Sequence, residues 1–293
     1  MGPRPVKLHG MNCNGSLNAT SGLVALTRAV SPAIVRCELT HLARSPIDPV
    51  RAAAQHDAYE HVLETLGCVV ERVEAAPDLP DAVFIEDTAI VLPEIAIITT
   101  PGAVSRRPET TAVAHALARH RPIVRLDSAG IDGATLDGGD VLLIGRTLYV
   151  GGSLRSSAAG RSALGRIVAP YGYTVAMVPL RDCLHLKSAA TSVADDTIVF
   201  NPAWVDAGSF DVAHSIEVDR TEPLAGNVLR IGSALVMDAA HARTARRLRA
   251  SGFDVHTVDA SELAKAEGGV TCCSILVPSR PASCRRPRPP AGC

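Results

Sequence analysis

Residues 88–100 of the chain read T-A-I-V-L-P-E-I-A-I-I-T-T. Two short runs rich in isoleucine and valine, Thr88–Leu92 and Ile95–Thr99, flank the dipeptide P-E, which is typical of a turn between paired strands. A helical pattern, Arg107–Arg119, and a further apolar run, Pro122–Leu126, come next. This part of the chain therefore predicts two paired strands, a helix and a third strand in succession.

The same order of elements recurs along the chain, with a second strand pair joined by the dipeptide G-R. The other strand candidates are Ala33–Leu39, Cys68–Val73, Ala82–Ile85, Val141–Ile144, Thr147–Val150, Thr174–Val178, Thr197–Phe200, Asn227–Ile231, Ala234–Asp238, Asp254–Thr257 and Cys273–Val277. The other helix candidates are Pro49–Leu66, Ser153–Tyr171, Ala239–Ser251 and Ala260–Ala266. Because strands outnumber helices and recur in pairs, the pattern predicts a repeated ββαβ-type unit with sheet inside and helices outside.

The domain organisation follows from where this pattern begins and ends. No linker divides the core, so residues 23–277 are interpreted as one α/β domain. Residues 1–22 show little periodicity, and residues 278–293 form a tail rich in proline and arginine. Neither end can build a core, so both are predicted to be disordered.

Composition argues against nucleic acid and membranes as main partners. The net charge is -1 and the sequence pI is about 6.8, so the chain has no basic field to attract either. Aromatic residues make up 3% of the chain, which leaves few stacking platforms for single strands. No uninterrupted apolar run approaches the ~18 residues that a membrane span requires.

Cysteine usage points to a reducing compartment. The eight cysteines are scattered, with no C-x-x-C pair: Cys13, Cys37, Cys68, Cys183, Cys272, Cys273, Cys284 and Cys293. The first 22 residues also lack the apolar centre of a signal peptide. These features predict a cytoplasmic protein with free thiols and without a structural zinc site.

Acidic residues cluster at two predicted strand ends. In D-A-V-F-I-E-D-T-A-I-V (residues 81–91), the adjacent carboxylates Glu86 and Asp87 would repel each other unless a cation or good donors lie near them. Solvated acids in a turn are the alternative. In L-D-G-G-D-V-L (136–142), Asp137 and Asp140 either cap a sharp turn or bind a metal, although the glutamate and length of a calcium loop are missing.

Two further stretches contain the groups that nucleophilic catalysis requires. His185 lies between two leucines in C-L-H-L-K-S, where it is either a core histidine or a general acid/base. Cys272 and Cys273 begin a predicted strand, in which successive side chains face opposite sides, so only one of them can face a given pocket. The other would pack as a small hydrophobe. A cysteine, a histidine and several acids together match a thiol nucleophile with its acid/base, but two buried structural thiols remain the alternative.

Five motifs in order carry a family resemblance: F-I-E-D (84–87), P-G-A-V-S-R-R-P-E (101–109), L-D-G-G-D-V-L (136–142), L-H-L-K-S (184–188) and G-V-T-C-C-S-I-L (269–276). Together they resemble the dimethylarginine dimethylaminohydrolase (dimethylargininase) family of the pentein, or guanidino-group-modifying, superfamily. The resemblance implies a five-bladed α/β propeller of pseudo-fivefold ββαβ units around a central polar channel. It also implies hydrolysis of asymmetric dimethylarginine or monomethylarginine to citrulline and dimethylamine or methylamine, without an organic cofactor or catalytic metal.

The resemblance also assigns roles to individual residues. It makes Cys272 the nucleophile, His185 the acid/base and Asp137 the acid that orients the histidine. It assigns substrate contacts to Leu39 in a lid, to the acids Asp81, Glu86 and Asp87, to Arg106 and Arg155 at the amino-acid end, and to the backbone carbonyl of Ala266. A bound guanidinium would then offset the repulsion between Glu86 and Asp87.

Three alternatives remain open at the level of sequence. An arginine deiminase or an amidinotransferase would use the same cysteine, histidine and acids on the same scaffold. A non-catalytic arginine-binding protein would keep the acids and arginines but would not need Cys272 and His185. The sequence leaves the oligomeric state open between monomer and homodimer, and it implies a small-molecule partner.

Overall fold

Fifteen short strands form five three-stranded sheets in residues 22–278, the part of the chain that the computed structural model describes. The strands are β1 (Val24–Thr27), β2 (Val69–Arg72), β3 (Ala89–Val91), β4 (Ala96–Ile98), β5 (Ile123–Arg125), β6 (Val141–Ile144), β7 (Thr147–Gly151), β8 (Thr174–Val178), β9 (Ala190–Ala194), β10 (Thr197–Phe200), β11 (His214–Glu217), β12 (Leu229–Ile231), β13 (Ala234–Asp238), β14 (Asp254–Val258) and β15 (Ile275–Val277). The helices are α1 (Pro49–Thr65), α2 (Thr110–Leu117), α3 (Ala158–Val168), α4 (Leu186–Ala189), α5 (Ala242–Ala250) and α6 (Ser261–Ala264). Within the described residues, no helix is long and apolar enough to cross a membrane.

All five sheets share one topology. Four are consecutive in the chain (β3-β4-β5, β6-β7-β8, β9-β10-β11 and β12-β13-β14), and the fifth, β15-β1-β2, joins the two ends of the described chain. In each sheet the first strand is antiparallel to the middle strand, and the third is parallel to it. Parallel neighbours need a crossover connection, and a helix supplies it in four sheets, through α1, α2, α3 and α5. In the β9-β10-β11 sheet the crossover contains only the 3₁₀ turn Ala207–Ser209.

The first strands of the five sheets surround a shared channel. Residues of β3, β6, β9, β12 and β15 line one cavity, with Lys187 and Arg230 among its polar groups. Residues 24–26 of β1 pair with residues 275–277 of β15, so the ring closes by joining distant parts of the chain. The five-bladed α/β propeller around a polar channel is therefore confirmed, except that one unit has no α-helix in its crossover.

The limits of α1 show how local sequence sets an element. The Oδ1 atom of Asp48 accepts hydrogen bonds from the backbone N–H groups of Val50 and Arg51, and Pro49 occupies the first helical position. Gly67, which follows the helix, adopts φ 89°, a left-handed conformation that glycine takes without strain.

Two predicted strands are wrong. Ala33–Leu39 contains the 3₁₀ turn Pro32–Arg36 because Ser31 Oγ accepts the N–H of Ala33 and caps the turn. Ala82–Ile85 is apolar because it is buried against the core, but it forms turns rather than a strand. The pattern missed β1, β9, β11 and α4 altogether.

Other predicted elements have different limits. The helix predicted at Ser153–Tyr171 begins at Ala158, where Ser157 caps it by accepting the N–H of Gly160 at 3.0 Å. The strand predicted from Cys273 begins at Ile275, since a 3₁₀ turn precedes it. The segments predicted to be disordered, 1–22 and 278–293, lie outside the described residues apart from Gly22 and Pro278.

Candidate active site

Cys272 lies in a buried 3₁₀ turn, Thr271–Cys273, that leads into β15. Its Sγ accepts a hydrogen bond from the N–H of Gly269 at 3.4 Å and lines a narrow cavity. Cys273 packs in the core instead, with its Sγ 3.5 Å from the carbonyl oxygen of Gly269. As predicted, only one of the two thiols faces the cavity and the other packs in the core. The cause is a turn and not the alternation of side chains along a strand.

His185 precedes α4 and is held by Asp137. The Nε2 atom of His185 lies 3.0 Å from Asp137 Oδ2, and Asp137 Oδ1 accepts the N–H of Gly102 at 2.8 Å. Both side chains are buried. The structure thus brings the predicted acid/base and the predicted orienting acid into direct contact, and Asp137 fixes the direction of the imidazole ring.

Asp87 packs against the opposite edge of that imidazole. Its Oδ1 lies 3.8 Å from His185 Nδ1 and accepts the N–H of Gly139 at 3.0 Å, while Oδ2 accepts from Arg106 Nη1 at 2.5 Å. A Cβ atom at position 139 would lie 2.6 Å from Asp87 Oδ1 and 2.9 Å from His185 Nδ1. The second glycine of L-D-G-G-D is therefore required so that the carboxylate and the imidazole can approach the turn.

Asp140, the other acid of that motif, stabilises the turn. It accepts hydrogen bonds from the hydroxyls of Ser153 and Ser156 and from the N–H of Leu186 at 3.0 Å. It therefore connects the turn to the start of α4, which is the capping alternative left open by the sequence. Ligand atoms of Asp87, Asp137 and His185 also lie within 4.8 Å of one another.

The electrostatics of the site shift the pKa values of the predicted acid/base and of the predicted nucleophile. Burial lowers the pKa of His185, but the charges of Asp87 and Asp140 and the hydrogen bond to Asp137 outweigh it and raise the pKa to about 9. Burial, together with the nearby carboxylates, raises the pKa of Cys272 to about 12. Both shifts favour a protonated imidazole on His185 and a protonated thiol on Cys272 at neutral pH.

The cavity beside this pair gathers most of the predicted substrate-binding residues. Its lining residues are Glu38, Asp81, Phe84, Asp87, Arg106, Arg155, Leu184, His185, Ala266, Glu267, Gly268 and Cys272. Three of the ten predicted site residues are not among them. Asp137 is hydrogen-bonded to His185, and Leu39 packs against the hydrophobic core. Glu86 lines the central channel instead.

Glu86 points into the central channel. Its Oε1 accepts from Lys187 Nζ at 2.7 Å, and its Oε2 accepts from Thr271 Oγ1 at 2.8 Å. Asp87, by contrast, is paired with Arg106. Two cations of the protein itself therefore offset the repulsion between the adjacent carboxylates, which corrects the expectation that a bound substrate has to do so.

The two predicted arginines differ in their surroundings. Arg106 is buried and also donates to Glu109 and to the backbone carbonyl of Phe84. Arg155 is more open and donates to Thr40 Oγ1 at 3.0 Å. Both line the cavity, but Arg106 is engaged mainly by buried acids and backbone carbonyls, whereas Arg155 makes its hydrogen bond at a more open position.

The loop at residues 38–42 is held by a residue that the sequence did not single out. The Glu267 carboxylate accepts hydrogen bonds from the successive N–H groups of Thr40, His41 and Leu42, and its own φ is 59°. Asp81 accepts the N–H of Glu38 in the same loop. Residues 38–42, which contain the predicted lid residue Leu39, are therefore held by two acids, and Leu39 itself does not line the cavity.

Comparisons with known proteins agree with this geometry. A family model described as arginine deiminase matches residues 60–224. A dimethylarginine dimethylaminohydrolase from Streptomyces coelicolor is 40% identical over 251 residues, which cover 86% of this chain and 95% of the relative. The chain belongs to the dimethylarginine dimethylaminohydrolase family. A second family member, from Pseudomonas aeruginosa, is 32% identical over 232 residues and covers 78% of this chain and 89% of its own.

Solved structures of the family share the fold. A cysteine-to-serine mutant of the Pseudomonas aeruginosa dimethylarginine dimethylaminohydrolase, complexed with citrulline, superposes with a TM-score of 0.81 at 28% identity, covering 87% of this chain and 99% of its own. A dimethylarginine dimethylaminohydrolase with a histidine-to-glycine change, as an adduct with S-methyl-L-thiocitrulline, gives a TM-score of 0.80. The N-terminal domain of the arginine dihydrolase ArgZ, at 19% identity and a TM-score of 0.75, has the same fold.

Proposed function

We propose that this chain hydrolyses N-ω-methylated arginines to citrulline and the corresponding methylamine. The observation that carries this proposal is that Cys272 and His185 line the same narrow cavity as Asp81 and Asp87. A planar guanidinium cation suits carboxylates that present paired oxygen acceptors. The family relationship supports the same reaction, with Cys272 as nucleophile, His185 as acid/base and Asp137 as the acid that orients it.

The proposed first half-reaction releases the amine. With the substrate cation bound, the Cys272 thiol releases its proton to solvent, and the thiolate attacks the central guanidinium carbon, forming a C–S bond and a tetrahedral intermediate. That intermediate collapses by breaking the C–N bond to the dimethylamino group, and the imidazolium of His185 gives its proton to the departing dimethylamine. The products are free amine and a thiouronium covalently attached to Cys272.

The second half-reaction restores the thiol. Neutral His185 takes a proton from a water molecule as its oxygen attacks the thiouronium carbon. The C–S bond then breaks, the hydroxyl proton of the tetrahedral intermediate passes to the departing sulfur, and neutral citrulline and the Cys272 thiol are formed. Asp137 keeps the imidazole in the required direction through both steps because its carboxylate stays hydrogen-bonded to Nε2.

The amino-acid end of the substrate carries a carboxylate and an ammonium group, so it requires a cation for the first and a hydrogen-bond acceptor for the second. Arg155 has guanidinium donors at the cavity wall for a carboxylate, and Arg106 lies deeper, paired with Asp87 and Glu109. The backbone carbonyl of Ala266 suits the ammonium group. We assign the main carboxylate contact to Arg155, since the Arg106 donors are already shared with buried acids.

Turnover of a substrate series tests the proposed function. Citrulline formation should be faster, by kcat/KM, from asymmetric dimethylarginine or monomethylarginine than from arginine. Preference for arginine with release of ammonia would identify an arginine deiminase instead. Transfer of the amidino group to an added amine, without citrulline, would identify an amidinotransferase, and binding without any product would identify a binding protein.

The resting thiol should respond to a cationic ligand. Burial and the negative charges of Glu86 and Asp87 raise the pKa of Cys272, and a bound guanidinium counteracts those charges. We expect the thiolate absorbance in the ultraviolet to titrate at lower pH when a non-reactive alkylguanidinium is bound. Cys272→Ala supplies the background, and an unchanged titration curve would contradict substrate-assisted formation of the thiolate.

The pH dependence of kcat/KM should report the imidazolium. His185 is protonated below its pKa of about 9 and loses its proton above it, so activity should fall on the alkaline side of that value. Asp137→Asn removes a hydrogen bond that raises this pKa, so the alkaline limb should move to lower pH. The control is Asp132→Asn, at an exposed site, which should leave the alkaline limb where it is in the wild-type enzyme. If Asp137→Asn also left the limb there, the role of Asp137 would be refuted.

A further inference from the structure

Asn227, which no sequence motif singled out, lies where the nucleophile's turn meets the element of the acid/base. It ends the 3₁₀ turn Pro223–Gly226 just before β12, and its side chain is buried. Its Oδ1 accepts the N–H of Thr271 at 3.1 Å, and its Nδ2 donates to Thr271 Oγ1 at 2.8 Å. The same Nδ2 donates to the carbonyl oxygen of Lys187 at 3.1 Å.

These three hydrogen bonds connect the turn that carries Cys272 with the helix α4 that follows His185. Thr271 is the residue immediately before Cys272, and Lys187 is two residues after His185 in the turn of α4. The two partners are 84 positions apart in sequence, and the Asn227 amide joins their backbones, whereas Glu86 joins their side chains. Given the proposed hydrolase function, we infer that Asn227 is a positioning residue that sets the Cys272 sulfur relative to the His185 imidazole.

The amide also fixes the direction of the Thr271 hydroxyl. Because Thr271 Oγ1 accepts a hydrogen from Asn227, its own single proton is free to donate to Glu86 Oε2, which lies 2.8 Å away. The distance from Thr271 Oγ1 to the Cys272 sulfur is 4.0 Å, which is longer than the 2.8 Å to Glu86 Oε2. Thr271 therefore anchors the turn that carries Cys272 to the channel wall.

Two glycines make this arrangement possible. A Cβ atom at Gly269 would lie 2.4 Å from Asn227 Oδ1 and 2.5 Å from its Cγ. A Cβ atom at Gly226 would lie 2.6 Å from the carbonyl oxygen of Ala189, at the end of α4. The second glycine of E-G-G-V-T-C-C thus leaves room for the Asn227 amide, which gives this part of the motif a role besides its proximity to the nucleophile.

The test measures kcat, KM and alkylation of Cys272 in the full chain. Asn227→Ala should lower kcat by roughly 10²-fold, as expected for a misplaced reacting group, and change KM for asymmetric dimethylarginine by less than about threefold. Alkylation of Cys272 by 2-chloroacetamidine should slow in parallel. Asn227→Asp keeps the shape and the acceptor for Thr271 but loses both donated bonds, so it should show the same loss.

The matched control is Asn201→Ala. Asn201 is also buried, and its amide also makes backbone hydrogen bonds, to Pro223 and Ala203, but none to the site. It should lower thermal stability by an amount similar to Asn227→Ala while keeping kcat. If Asn227→Ala and Asn227→Asp kept wild-type kcat, or if Asn201→Ala lost it equally, Asn227 would have only a structural role.

A double-mutant cycle adds an independent check. Gly269→Ala should reduce kcat in the wild-type background, since its methyl group displaces the amide, and should reduce it much less when Asn227 is already alanine. Additive losses would contradict the inference. A wild-type chain without turnover would instead refute the proposed function, and the alkylation rates would then test the positioning of Cys272 separately.

Discussion

Cys272→Ser is expected to abolish citrulline formation, with kcat reduced by about 10⁴-fold or more, as for the loss of other covalent nucleophiles. A serine hydroxyl ionises far less readily than a thiol, and the acids that surround the cavity oppose any anion there. The measurement is a fixed-time citrulline assay with asymmetric dimethylarginine, supported by thermal melting to show that the variant folds.

The matched control is the neighbouring thiol. Cys273→Ser changes a side chain that packs in the core and does not line the cavity, so it should retain most of kcat while lowering stability by about 1–3 kcal/mol for the buried polar group. Equal losses of kcat in the two variants would contradict the assignment of the nucleophile. Loss confined to Cys273→Ser would reverse it.

His185→Gly should separate the two half-reactions. Without the imidazolium the dimethylamine leaving group receives no proton, so we expect turnover of asymmetric dimethylarginine to fall by roughly 10²–10⁴-fold. S-methyl-L-thiocitrulline has a leaving group that needs no such proton, so the variant should still form a covalent adduct on Cys272. That adduct should then persist, because no base activates the water that removes it.

The measurement for this variant is intact-protein mass spectrometry after mixing with S-methyl-L-thiocitrulline. A dimethylarginine dimethylaminohydrolase with a histidine-to-glycine change has been captured as an adduct with that compound. His61→Gly, at an exposed site on α1, is the control and should turn over normally. A thiol in His185→Gly that stays unmodified would instead make His185 the group that activates the nucleophile for attack.

The sequence predicts the strands and helices of the repeated unit better than it predicts how the five units close into a ring. Strands such as β3 and β4 are rich in isoleucine and valine and are joined by a short turn, so local pattern is sufficient to predict them. The strand β9 (A-T-S-V-A) and the strand β11 (H-S-I-E) are polar or small and carry little such signal. The closing pair β1–β15 joins the two ends of the described chain, and no local pattern reports a pairing at that separation.

The candidate site likewise has residues that the sequence predicts and contacts that it does not. Motifs and the family resemblance predicted Cys272, His185 and Asp137, because these residue types match a thiol nucleophile, its acid/base and the acid that orients it. The contacts of Glu86, Asn227 and Glu267 depend on partners between 40 and 227 positions away. Only the folded chain shows that Glu86 is hydrogen-bonded to Lys187, and that Glu267 accepts the backbone N–H groups of residues 40–42.

Rapid acid quenching during turnover of asymmetric dimethylarginine, followed by peptide mass spectrometry, examines the covalent route most directly. We predict that the peptide containing Cys272 transiently gains the mass of the substrate minus dimethylamine, and that this modified peptide decays at the rate at which citrulline forms. Citrulline produced while Cys272 stays unmodified at every time point, or a modification on Cys273 or Cys183 instead, would contradict the mechanism.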